Sequence, residues 1–90
     1  MLFVSNITWD VVFWMKNTLI PLDIVFIKED SKVANVEQAD VEIGVPDNEL
    51  KRYQSNGPVK CVVEINQGLC SSYNISTGTL VIITYQSKNI

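Results

Sequence analysis

Residues 13–27 read FWMKNTLIPLDIVFI, and the apolar run that closes this stretch decides the fold class. Val11 to Lys16 (VVFWMK) is rich in β-branched and aromatic side chains, which fit a pleated, half-buried surface. Asn17-Thr18 then supplies a polar corner. Ile20 to Ile27 (IPLDIVFI) follows, with Pro21 near its start, where a missing N–H is tolerated. Glu29 to Lys32 reads as a solvated turn and Lys32 to Val36 as the returning strand. The expectation is a meander of three antiparallel strands.

The chain on either side is also β-rich. Val41, Ile43 and Val45 alternate with Glu42 and Gly44, the pattern of a half-buried strand. Pro46 to Glu49 begins a turn with Asp47 as the expected N-cap. Tyr53 stands among polar neighbours, and Asn56-Gly57-Pro58 breaks the chain. Val59 to Asn66 (VKCVVEIN) reads as a strand, Leu69 to Tyr73 as a short helix, and Thr79 to Tyr85 as a last strand. No segment sustains a 3.6-residue period. The fold class is therefore all-β with minor helix, either a small antiparallel β-sandwich or a partly open β-barrel.

The 90 residues form one domain, 1–90, in which about two-thirds of the unfolded surface can be buried. A net charge of -3 argues against nucleic acid, whose phosphates require a basic face. With no histidine, imidazole bases, Ser-His and Cys-His pairs and most nitrogen-ligated zinc sites are excluded. No metal-ligand spacing or phosphate loop is present, so neither metal nor cofactor is expected. The first fifteen residues are apolar but lack a basic start and are interrupted by Ser5, Asn6, Thr8 and Asp10; no export signal or membrane segment is read, which makes the cytoplasm the default location. Cys61 reads as a small core residue and Cys70 as part of a polar turn, with a disulfide between them as the alternative. Asn6-Ile7-Thr8 and Asn74-Ile75-Ser76 match the glycosylation sequon, a pattern common by chance.

Met15-Lys16-Asn17-Thr18 followed by Pro21-Leu22-Asp23 resembles the signature of the prokaryotic family catalogued as domain of unknown function 192. The similarity continues through Tyr53-Gln54-Ser55, Val62-Val63-Glu64-Ile65 with Gly68, and the Ile75 to Gly78 turn. The resemblance implies a compact β fold and no established activity, in a family whose members are often exported or anchored. It also implies further strands ahead of Met1-Leu2-Phe3, and it places Gly-Asp where this chain has Gly78-Thr79. A sheet short of its first strands exposes an edge, so self-association through that edge, or exchange of Met1 to Val4, is expected.

Asp23 stands out because it interrupts an apolar strand on the same alternating face as Val25 and Ile27. A buried carboxylate must be paired or hydrogen-bonded. The expected partners are the Asn17-Thr18 corner or Lys16, and the functional alternative is a ligand hook or acid–base group. Glu64 is the second isolated carboxylate, in CVVEIN. Lys16, Asn17 and Thr18 form a polar cluster beside Trp14, the kind of surface that grips a sugar or peptide, although the reading the sequence favours is Trp14 in the core with Asn17 and Thr18 satisfying turn amides. Lys51-Arg52 reads as a solvated loop. Two functions follow. The first is a non-catalytic binding or structural module for a small polar ligand or a peptide. Its site is Lys16, Asn17, Thr18 and Asp23, with Trp14, Tyr53 and Glu64 as walls. The second is a glycan- or cell-envelope-directed hydrolase using Asp23 and Glu64 as a carboxylate pair about 5–10 Å apart.

Overall fold

The computed structural model describes residues 1–83. Its strands are β1 (Leu2–Trp9), β2 (Val12–Phe13), β3 (Leu22–Ile27), β4 (Val33–Ala39), β5 (Tyr53–Gln54) and β6 (Val59–Asn66). A 3-10 turn spans Asp47–Glu49, and the one short helix, α1, spans Leu69–Ser72. Four strands form an antiparallel sheet in the order β1-β6-β3-β4, and β2 pairs with β5 in a separate ribbon. The two sheets do not close into a barrel.

The apolar run recognised in the sequence becomes β3, whose six residues are all buried. It lies between β6 and β4 and is covered on both faces, which explains why it alternates so little. On one face Leu22, Ile24 and Phe26 pack with Met15, Tyr53, Val59 and Val62 under the β2–β5 ribbon. Phe13 bridges this layer, its ring 5.2 Å from Phe3 and 6.2 Å from Phe26. On the opposite face Val25 and Ile27 pack with Val33, Cys61 and Cys70, and with Ile75, Val81 and Ile83 from the chain after α1. The sheet is thus the middle layer of the molecule.

Several local expectations are corrected. The three-strand meander reduces to the β3–β4 hairpin, because VVFWMK contributes only Val12–Phe13 and pairs with β5 instead. Residues 41–45 form a turn, closed by Val45 N–H donating to the Glu42 carbonyl at 3.4 Å, with Gly44 at φ 80°. Pro46, not Asp47, occupies the cap of the 3-10 turn and makes no side-chain cap bond. Thr79 to Ile83 is not a strand; it contributes a single bridge, Lys32 to Leu80, while the end of that expected strand lies outside the described residues. Cys70 is buried and not in a polar turn, and both cysteines are free. β1 is a strand that the sequence pattern does not reveal. It follows β6 only from Leu2 to Val4, then bulges before Trp9 meets Val59.

Candidate functional site

The corner after β2 is built by backbone geometry. Asn17 takes a left-handed conformation (φ 59°), which Asn tolerates better than most residues, and Thr18 N–H donates to the Met15 carbonyl at 3.1 Å. Met15 is buried beneath this corner, so Lys16 points outward. Its ammonium reaches Asp47 Oδ2 at 2.7 Å and lies 5.3 Å from the Trp14 ring centroid. Between this corner and the 42–50 turn lies a cleft of about 160 Å³, lined by Lys16, Asn17, Thr18, Leu19, Glu42 and Asp47 among others. The Glu42 carboxylate accepts the Lys51 N–H with both oxygens at 3.3 Å, which ties the far wall of the cleft together.

Trp14 is 40 % exposed and stacks against Arg52, whose guanidinium carbon is 4.3 Å from the ring centroid. The sequence places Arg52 in a solvated loop. Its placement on an aromatic face depends on the β2–β5 register, which local pattern does not reveal. Beside it, an open cleft of about 310 Å³ is lined by Val12, Phe13, Trp14 and Arg52. The two clefts adjoin, since Arg52 Nη2 also donates to the Asp47 carbonyl at 3.4 Å. Tyr53 is buried beneath the ribbon with Lys51 over its ring at 5.1 Å. Burial pushes its hydroxyl pKa up, and the charges of Glu42, Asp40 and Glu37 add to that, against a hydrogen bond from the Asp40 backbone.

The structure brings Trp14, Lys16, Asn17 and Thr18 to one surface and sends Asp23 and Glu64 elsewhere. Asp23 is 1 % exposed, and its Oδ2 accepts the N–H groups of Gly68 and Cys70, both at 3.0 Å. It therefore pins the start of α1 to the sheet and does not meet Lys16 or the Asn17-Thr18 corner, correcting the expected partners. Oδ1 is buried without a hydrogen-bond partner. The Cys70 thiol beside it is pushed up to about 11, by burial first and then by the Asp23 charge. Glu64 is half-buried, and burial raises its pKa against the opposing pull of the Met1 ammonium.

The register decides the question of a carboxylate pair. Asp23 stands opposite Ile65, whereas Glu64 stands opposite Ile24. Successive side chains of a strand alternate between faces, so the two carboxylates lie on opposite sides of the sheet. They cannot flank one substrate bond. The hydrolase arrangement expected from the sequence is corrected on this ground. Among the described residues, no three or more Cys, Asp or Glu side chains converge in a way that could hold a metal ion, and no helix is long and apolar enough to cross a membrane.

Residues 1–83 match the family model DUF192, described as an uncharacterized conserved family. Two solved structures are similar. A protein of unknown function from Novosphingobium aromaticivorans DSM 12444 is 38% identical with a TM-score of 0.72, covering 87% of this chain and 52% of its own. A protein described as a candidate transcription regulator from Sinorhizobium meliloti 1021 is 36% identical with a TM-score of 0.71, covering 87% and 57%. The chain thus spans little more than half the length of these relatives. None of the curated proteins matches.

Proposed function

From the premise that this chain belongs to the DUF192 family, a family without a characterised activity, we propose that it is a non-catalytic binding module that docks a peptide across its two adjoining clefts. The observation that carries the reading is the continuous surface Lys16–Trp14–Arg52–Asp47, which joins those clefts. Size favours a peptide over a compact small molecule. A drug-sized ligand needs a pocket of roughly 300–1,000 Å³. The enclosed cleft offers about 160 Å³, room for one side chain, and the neighbouring groove is too open to envelop a ligand.

In this reading Lys16, Asn17 and Thr18 border the side-chain cleft and Trp14 forms the floor of the open one. Tyr53 supports the ribbon from beneath. Asp23 and Glu64, on the two faces of the other sheet, act as structural groups. The net charge of -3 keeps nucleic acid outside the reading, and that includes the regulatory role suggested by the description of the Sinorhizobium relative. Self-association belongs to the same proposal and would use the straight Leu2–Val4 part of β1, which lies at a sheet edge.

The test is a titration of the isotope-labelled chain with a panel of short capped peptides, read by amide chemical shifts. Binding peptides are expected to move Asn17, Thr18, Gly44 and Val45 together and saturably. Leu19→Trp adds bulk at the exposed rim of the cleft and is expected to weaken those peptides by about tenfold or more without moving the urea midpoint. Shifts that fall outside this surface, or a Leu19→Trp chain that binds as well as the wild type, would overturn the reading.

A further inference from the structure

Building on the docking reading above, we infer that the outer face of the β2–β5 ribbon is a seat for an acidic side chain within the docked peptide, with Arg52 as anchor and Trp14 as platform. The register defines that face. Val12 stands opposite Gln54 and Phe13 opposite Tyr53, and the Ser55 N–H donates to the Val11 carbonyl at 2.9 Å. Continuing the register by one residue puts Trp14 opposite Arg52. Alternation then places Val12, Trp14 and Arg52 together on the face turned away from buried Tyr53.

Arg52 is held still there. Its Nη1 donates to the Leu50 carbonyl at 3.0 Å and its Nη2 to the Asp47 carbonyl at 3.4 Å, while the guanidinium rests on the Trp14 ring. These bonds use two of the five guanidinium donors. Among the described residues no carboxylate pairs with it, although the chain has ten Asp and Glu against seven Lys and Arg. Asp47, whose carbonyl accepts from Arg52, gives its side chain to Lys16 instead. A planar fork fixed in place, with spare donors and no counter-ion, is already arranged for a carboxylate.

Charge complementarity points the same way. Two of the seven basic residues, Lys16 and Arg52, flank Trp14 on an otherwise acidic chain. Val12 and Trp14 give the seat an apolar flank. The Val11–Ser55 bond also means that Val12 occupies a non-hydrogen-bonded position, so its N–H and C=O point away from β5. A peptide main chain can run past this free edge in both directions, which favours an internal acidic residue over a chain terminus.

The experiment is a titration of the full chain with three probes, following the Trp14 indole N–H. The probes are acetyl-Phe-Glu-amide, acetyl-Phe-Gln-amide and acetyl-Phe with a free carboxylate. The Glu probe is expected to saturate in the low-millimolar range and the Gln probe to bind about tenfold more weakly. Arg52→Gln is expected to make the two bind alike while the amide spectrum outside the β2–β5 ribbon stays that of the folded wild type. Equal binding of Glu and Gln probes to the wild type would leave only an apolar groove and overturn the seat. Tighter binding of acetyl-Phe would assign the seat to a chain terminus, also against the inference. Silence at Trp14 with all three probes would remove the seat, yet the docking reading would stand if panel peptides still moved Asn17 and Thr18. An indole shift that follows protein dilution without any probe would give the face to a second copy.

Discussion

Asp23 accepts two main-chain N–H groups 45 and 47 residues away in sequence, and these bonds hold the α1 turn onto the β3 surface. Asp23→Ala leaves both donors without a side-chain partner in an apolar layer. The expected loss is about 2–4 kcal/mol in urea denaturation. Asp23→Asn keeps an acceptor oxygen and is expected to lose about half as much or less. A loss below about 0.5 kcal/mol for the alanine variant would show that the turn is held by packing alone. Cys70, beside Asp23, has a pH signature of its own. Its thiol rises from 9.0 to about 11 on folding, so the native state holds the proton more tightly. That contribution is complete below the unfolded value and fades as pH rises through the folded one. Wild type is therefore expected to lose more stability than Cys70→Ala between about pH 9 and 11 in paired urea melts. Parallel losses would place the thiol's titration in ordinary surroundings.

At the scale of the elements, β3 and β6 were legible in the sequence because both are central strands with long apolar runs, and the observed β6 bounds, Val59–Asn66, are those expected. Residues 41–45 misled because Val41, Ile43 and Val45 mimic strand alternation, while Gly44 at a positive φ turns the chain back. β5 escaped because two residues carry no periodicity, and its partner β2 shrank to two residues for the same reason. β1 escaped because Ser5, Asn6 and Thr8 interrupt its apolar pattern, and those are residues of the bulge. The candidate site divides along similar lines. The Lys16–Thr18 corner is local and was readable. Arg52 on Trp14, Asp47 on Lys16 and the separation of Asp23 from Glu64 all depend on which strands pair, information that is absent from any single segment.

For the whole molecule, the accessible surface is 6282 Å², against about 5,300 Å² for a closed chain of this mass. Part of the excess is apolar, with Leu2, Val4 and Ile7 of β1 all exposed. Edge strands with such side chains invite pairing, and bulges discourage it. The bulge after Val4 limits the usable edge to the first residues of the chain. Light scattering over a range of concentrations is expected to show a mass that rises above 10.1 kDa for the wild type and stays there for Val4→Lys. A wild type fixed at 10.1 kDa would dismiss association through β1.

The strand order β1-β6-β3-β4 also governs how quickly this architecture can assemble. Only β3 and β4 can pair through a short local loop, so they form the natural first hairpin. The pairing of β6 with β3 must close a span that includes the whole 40–58 region, and β1 can join only after β6 is in place. A nucleus that waits on such distant partners folds in milliseconds to seconds rather than microseconds. During that interval the β3 edge, apolar but for Asp23, stands open to other chains, and the crowding of newly made copies sets how many reach the native sheet.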